Sequence, residues 1–525
     1  MTSINTALRI IPPAYTPSTA AQAPSGGQLI AAASTPSSNV TLGQDTRIPN
    51  SQTYSSRGSL DGQVRYAWEQ ESDDKVSLAL LSGIQTSNPA GRFQGLGAAL
   101  LTQLANNGGQ NISQSVFTFA NNGIQPGPEA LRLQQQRLRQ DPENGVTLSL
   151  TTASGATVKL ALASNDKGLA VSAEVSDGTL TDDELKGLGA LANSFQSTIN
   201  GLTEQPPRLQ LGALAKLDPA LFTSLSMSAK FDVQGQQQTF DLRLDDKARS
   251  VSLQGPNGNM QLNLDTRNSA LLGSASQRQA AIDNYLSQLD AAQQRGKGDQ
   301  NLTDLLKDAF TQLNNVDEKR KPTLELASGL NDTDRSLLSG LFDFSASISQ
   351  SSTHPNPMRP EEADRFDYRV SQSTNISGNG PLNRSVQQDS QSSLKAAYHK
   401  GLNPLVDLRL GLDRKTQNYS FHEISDQASS STRLAYSKGS LVEASATQQA
   451  TQSERIRTYV DGELKEDMTT PTSVIRSRNL RSLLNQVFQE ERAAQRENRG
   501  SILDAALRNQ RSLWLLQGDT AKIAA

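Results

Sequence analysis

Between residues 146 and 264 apolar and polar residues alternate in seven separate runs. Val146, Leu148 and Leu150 form the first, Val158, Leu160 and Leu162 the second, and Val171, Ala173 and Val175 the third. Met227, Ala229, Phe231 and Val233 follow, then Phe240, Leu242 and Leu244, then Val251 and Leu253, then Met260, Leu262 and Leu264. Period-two alternation marks a strand with one buried and one wet face. Ser154-Gly155, Lys167-Gly168, Gly235, Asp245-Asp246 and Asn257-Gly258 lie between runs, where a reversing chain needs positive φ or a capped bend. Two helices are expected between the third and fourth runs. Leu185, Leu188, Leu191, Phe195, Ile199 and Leu202 recur there at helical spacing and supply a stripe to cover the sheet. The expected class is α+β, with antiparallel one-sided sheets packed against amphipathic helices, a disordered N-terminal tail and a C-terminal helical hairpin.

The flanking sequence divides by pattern. Residues 1–57 are rich in Ser, Thr, Ala, Gln and Pro without period, and read as a disordered tail. Residues 58–140 read as a hairpin plus helices: Val64, Tyr66 and Trp68 face Val76, Leu78 and Leu80 across Asp73-Asp74. A helix over 91–105 carries Gly95 and Gly97, which weaken it or admit another backbone, and a second near 127–140 opens with Pro128. After the central module of 141–267, a helical segment fills 268–340, broken at Gly296-Lys297-Gly298. A second antiparallel meander is expected over 341–465, with strands at 408–412, 419–421, 434–436, 442–446 and 456–460 and a Ser/Gln-rich linker at 375–393. Residues 466–525 read as an amphipathic hairpin broken at Gly500, one stripe holding Leu480, Leu483, Leu484, Val487 and Phe488, the other Ile502, Leu503, Leu507 and Trp514.

Composition narrows the chemistry. Apolar residues make up 35% and aromatics 5%, so part of the chain should pack loosely. Fifty basic and 53 acidic residues nearly cancel to −3, which leaves no overall electrostatic reason to seek nucleic acid or an anionic membrane. Cysteine is absent, which excludes disulfides, thiolate metal sites and cysteine nucleophiles. No apolar run reaches the roughly 20 residues of a membrane helix, so no membrane span is expected. Arg9-Ile10-Ile11-Pro12-Pro13 is too short for a signal-peptide core. The expected location is the cytoplasm, or outside it by a route that reads no cleaved signal.

Few motifs carry chemistry. Residues 177–184 match the second half of a calcium loop through Gly178, Leu180 and Glu184, but its first ligands would be Ala173 and Val175. Thr181 with Glu184 reads instead as a capping box. Ser392-Ser393-Leu394-Lys395 has the serine–x–x–lysine spacing without the partner motifs of that chemistry. His354, His399 and His422 are scattered, with His399 and His422 the one pair a sheet could bring together. Asn111, Asn375 and Asn418 begin chance glycosylation sequons in a chain rich in Ser and Asn. Arg476, Arg478, Arg481, Arg492, Arg496, Arg499, Arg508 and Arg511 are interleaved with Glu490, Glu491, Glu497 and Asp504, which argues for a solvated helical hairpin over a nucleic-acid reader. No catalytic, cofactor or metal residue is assigned. The expected function is a non-enzymatic interaction or structural protein, bacterial and surface-associated or exported without a signal. The apolar stripes of the C-terminal helices are expected to pack on the body of the chain or on a partner, which opens a protein partner or self-association there. The alternative is a carbohydrate-active hydrolase or sugar-binding protein with carboxylates on non-adjacent strands and Trp68, Tyr419, Phe421 and Tyr436 stacking on sugar.

Overall fold

The alternating runs join one antiparallel sheet that continues through the second meander. In this computed structural model the described residues are 65–70, 72–119, 127–233, 235–315, 330–380, 382–497 and 502–525. The expected tail over 1–57 and the Gly500 break lie outside them. The strands are β1 (Arg65–Trp68), β2 (Ile112–Phe119), β3 (Asn144–Thr152), β4 (Thr157–Ser164), β5 (Gly168–Ser176), β6 (Phe222–Val233), β7 (Gln236–Leu244) and β8 (Ala248–Gly255). They continue as β9 (Gly258–Asp265), β10 (Asp343–Gln350), β11 (Arg365–Gly378), β12 (Arg384–Gly401), β13 (Tyr419–Ser437), β14 (Ser440–Val460) and β15 (Glu463–Asn479). Their spatial order is β1-β2-β5-β4-β3-β6 and then consecutive to β15. The helices are α1 (Lys75–Ile84), α2 (Pro89–Arg92), α3 (Leu96–Asn106), α4 (Pro128–Gln140), α5 (Asp182–Thr203), α6 (Ala275–Gly296) and α7 (Gln300–Asn314). Short α8 (Asp332–Leu337) precedes β10, and α9 (Arg481–Arg496), α10 (Leu503–Leu507) and α11 (Thr520–Ala524) end the chain. The class is α+β.

The seven central runs are strands β3 to β9, and their apolar residues form the helix-covered face. Val146, Leu148, Leu160, Phe240, Leu242 and Leu262 are buried in one core with Leu188, Phe195 and Ile199 of α5. Between β5 and β6 there is one long helix, α5, followed by a 3-10 turn, where two helices were expected. The glycines of the preceding helix have a cause: Gly95 sits before α3 at φ 75°, and a Cβ at Gly97 would lie 2.8 Å from Ile199 Cδ1. With no side chain at Gly95 to cap α3, the cap comes from α5. Gln196 Oε1 accepts from the N–H groups of Gly97 (2.9 Å) and Ala98 (3.3 Å), and its amide donates to Phe93 O (3.0 Å).

Four expectations are corrected. Val76, Leu78 and Leu80 lie on α1, not in a hairpin, because the Asp74 carboxylate accepts from Ser77 N–H (2.7 Å) and starts a helix; the partner of β1 is β2. The linker at 375–393 is mostly strand, the ends of β11 and β12. Residues 408–412 are a loop. Residues 463–479, expected to lead into helices, are β15.

The strand pairs expected at 419–421 with 434–436, and at 442–446 with 456–460, are each one continuous strand, 19 and 21 residues long. Two-residue turns at Lys438-Gly439 and Asp461-Gly462, all four at positive φ, close their hairpins with the twist that flanking strands require. β15 is one of the two edges of the sheet, β1 the other. Leu480 N–H bonds Ala444 O (2.8 Å), so residues of even number face β14, and Pro471, which has no N–H, faces outward. Proline on the open side blunts pairing by another chain.

The C-terminal stripes pack on the sheet. Leu480, Leu484, Val487, Leu503, Leu507 and Trp514 form a second core with Val386, Leu434, Ala444 and Ala446. These stripes therefore pack on the body of the chain.

Candidate functional site

On the face away from the helices, antiparallel register stacks side chains into rungs across the strands. One rung runs through Gln261, Ser347, Arg369, Ser393, Gln427 and Thr451 of β9 to β14. The adjacent rung on that face runs through Asn263, Ser345, Ser371, Gln391, Ser429 and Gln449. Both continue across β8 to β3, through Ser252, Asp241, Ser228 and Thr147 and through Ser250, Arg243, Ser226 and Ser149. Small side chains leave the backbone shallowly covered, and the sheet holds a trough of about 780 Å³ over β9 to β14. Its lining contains one charged residue, Arg369, which is exposed, and no carboxylate, histidine or aromatic ring. Such a surface offers many hydrogen-bond donors and acceptors, and its lining holds no histidine or carboxylate beside the serine hydroxyls.

The same face is covered at two places. Leu138 of α4 packs on Phe117, Ala163 and Ala170 at the β2–β5–β4 end. At the far tips of the long strands, the segment 351–364 and the loop 401–418 cover Ala397, Tyr419, Phe421 and Tyr459.

Under that cover lies a polar network assembled from four segments, 351–364, β12, β13 and β14. Glu362 accepts from Tyr419 Oη (2.6 Å), Tyr459 Oη (2.9 Å) and His399 Nε2 (3.3 Å), and lies 3.4 Å from the Arg457 guanidinium. His399 Nδ1 donates to Asp364 (2.6 Å), and Asn356 donates to Tyr419 Oη (2.8 Å). Both imidazole nitrogens therefore bond carboxylates, the arrangement of an imidazolium. Burial works against that charge, but the two carboxylates outweigh it and raise the His399 pKa. Burial also opposes ionisation of Glu362, and its donors and Arg457 outweigh it, holding the carboxyl below its usual range. Glu362 and Asn356 are fully buried and the His399 side chain is 1% exposed, so no substrate reaches these groups. The network fastens the covering segment to the strand tips. Sequence reasoning missed it because Asn356, Glu362, Asp364, Arg457 and Tyr459 share no linear motif.

The singled-out residues fall apart in space. Thr181 and Glu184 form the capping box: Glu184 N–H bonds Thr181 Oγ1 (3.3 Å), and Thr181 N–H bonds Glu184 Oε2 (2.8 Å). Ser154 N–H adds a bond to Glu184 Oε1 (3.0 Å). Burial disfavours this carboxylate, yet the N–H groups of Thr181 and Ser154 and the hydroxyls of Ser154 and Thr152 hold its pKa down to about 2. Its lone pairs are committed to the turn and the helix start, and Asp177 is a positive-φ turn residue. Ser392 and Lys395 stand three apart on β12 and so point to opposite faces. His399 and His422 also project from opposite faces, since His399 is opposite Phe421 and His422 opposite Tyr398 in one register. His354 bonds Pro360 O (2.9 Å) elsewhere. Asn111 accepts from Val175 N–H, and Asn418 donates to Asp461.

Tyr419 and Phe421 are buried and cannot stack on a sugar, and the Tyr436 hydroxyl donates to Asp334. Three of the arginines expected in water are structural. Arg476 donates to Ile523 O and Ala524 O (3.1 Å each), Arg478 to Gln448 Oε1 (2.7 Å), and buried Arg511 pairs with Asp504.

A second cleft of about 650 Å³ gathers Glu204, Asp232 and Asp299 from three elements. Asp232 accepts from Gly235 N–H (2.8 Å) and Asp299 from Leu302 N–H (2.8 Å), and its aromatic, Phe231, is buried. Among the described residues no group of three or more histidine and carboxylate side chains could hold a metal ion. No described helix is long and apolar enough to cross a membrane. Comparisons with protein-family models, with curated proteins and with solved structures find no match.

Proposed function

We propose that this is a non-enzymatic interaction protein whose working surface is the bare polar face of the sheet. The observation that carries this reading is the trough, lined by hydroxyls, carboxamides and one exposed cation, without a carboxylate or an aromatic ring. Its chemistry suits a hydroxyl-rich polymer lying across the strands. The hydrolase alternative needs two available carboxylates in one cleft, about 5 to 10 Å apart. In the second cleft two of three carboxylates are committed to backbone N–H groups, which weakens it. Placement at a bacterial surface rests on composition alone, and fractionating the native host into cytoplasm, envelope and medium tests it separately.

Affinity electrophoresis through gels containing a neutral glucan or a uronic-acid polysaccharide tests the surface. The reading expects retardation without release of reducing ends, and loss of retardation in Ser393→Trp, which fills the trough. Release of reducing ends would favour the hydrolase. Retardation unaffected by Ser393→Trp, or none on either polymer, would overturn this assignment of the bare face.

A further inference from the structure

The loop 401–418 between β12 and β13 presents apolar side chains to water although the loop itself is anchored. Leu408 and Leu410 pack on the buried cluster of Tyr419, Phe421 and Tyr459. The Gln417 amide donates to Gly411 O (2.7 Å), and Thr416 Oγ1 accepts from Gly411 N–H (3.0 Å), so the loop is closed on itself by hydrogen bonds. Against that fixed frame Leu405 is 91% exposed, Leu412 78%, Val406 64% and Leu402 43%. Leu405 and Leu412 are almost wholly in water, and Val406 mostly so. Single exposed leucines are ordinary, but four on one anchored loop mark a surface for something apolar.

Charge identifies the occupant. Residues 400–416 carry Lys400, Arg409, Arg414 and Lys415 against Asp407 and Asp413, four minus two, a local balance of +2 in a chain of −3. Glu463 is paired with Lys465 (2.7 Å) and with Arg414 (3.8 Å), and Asp413 and Asp461 accept from Lys415 N–H (3.0 Å) and the Asn418 amide (3.2 Å), so the cations left to the collar are Lys400, Arg409 and Lys415. An apolar tip with a basic collar is the pattern of a peripheral contact with anionic lipid, where apolar groups enter the headgroup boundary and cations meet the lipid charge. A second copy fits less well. A stable protein interface buries about 800 Å² per partner, more than one short loop supplies, and two basic collars would repel.

We propose that the loop 401–418 is a docking site for an anionic lipid surface, with Leu405 and Val406 as the inserting residues. The near-neutral whole chain has no long-range attraction to such a surface, so the contact is local.

The test is flotation of the full chain with phosphatidylcholine vesicles, with and without phosphatidylserine. The expected result is binding to the phosphatidylserine vesicles that falls about tenfold or more in Leu405→Ser with Val406→Ser, at unchanged melting temperature, because both side chains lie mostly in water. Arg409→Glu with Lys415→Glu should remove the preference for phosphatidylserine. Failure to float with either vesicle, flotation indifferent to Leu405 and Val406, or a concentration-dependent dimer that Leu405→Ser dissolves would each overturn the proposal.

Discussion

The two halves of the sheet bury their inner faces by different chemistry. From β3 to β9 the helix-facing positions are mostly Val, Leu, Met, Phe and Ala, with Arg249 donating to Ala215 O (3.3 Å) and Leu313 O (3.0 Å) at one end, and α5 and α7 lie over them. From β11 to β14 that face alternates apolar positions such as Val386, Leu394 and Ala446 with buried Gln372, Gln388, Ser390, Ser430, Thr432 and Gln448. These polar groups bond the covering segments. Gln388 accepts from Ser339 N–H (2.7 Å), Gln372 donates to Phe342 O (3.2 Å), Gln448 donates to Ser512 O (2.9 Å) and Leu515 O (2.6 Å), and Ser430 donates to Trp514 O. Tyr285 of α6 joins the set through Ser390 (2.9 Å) and Gln372 (3.1 Å). The difference teaches what can cover a sheet. A helix satisfies its own backbone and asks only for an apolar face, whereas irregular chain brings unpaired N–H and C=O groups that buried side chains must meet.

The comparison can be broken first on its apolar side. Phe240→Ala should cost about 3 to 5 kcal/mol in urea melts, since the ring is buried within the core over β7. A loss near zero would mean that this half is not held by packing. On the polar side Gln448→Leu should cost about 1 to 3 kcal/mol, because it strands two carbonyls and takes the acceptor from Arg478. A stabilising result would show that the buried amides are replaceable by apolar groups.

Smaller effects sharpen the local picture. Thr181→Ala should remove about 0.5 to 2 kcal/mol, as cap losses do, and its melting temperature should not respond to calcium. Glu184 gives that cap a pH dependence: with its carboxyl near 2 in the folded state, its contribution is complete above the ordinary carboxylate range and is lost as pH falls from about 4.5 toward 2. Chemical melts at pH 7 and 3 on wild type and Glu184→Gln check the sign, since the variant should lose less. Last, Ser393→Ala with Ser429→Ala on the bare face should stay within about 0.5 kcal/mol of wild type, which would separate the trough from the fold.

Much of this was legible along the chain, and the reason lies in period. Strands β3 to β9, the stripe of α5, the capping box and the α+β class follow from alternation, helical spacing and local chemistry, all of which act over a few residues. The strands over 375–393 were hidden because their inward Gln and Ser give no apolar alternation; what meets Gln388 and Ser390 is Ser339 N–H and Tyr285 of α6, distant in sequence. Val76, Leu78 and Leu80 fit a strand as well as a helix, and the Asp74 cap decided between them.

What residue order determined by itself is where the chain turns, which faces are apolar and how the helices start, because those depend on neighbours in sequence. Only the tertiary structure decided that fifteen strands share one sheet, that six strands line a polar trough and that Glu362 meets His399, Tyr419 and Tyr459. Those outcomes rest on register and burial between distant segments, and no local pattern records which segment will supply the partner of a buried polar group.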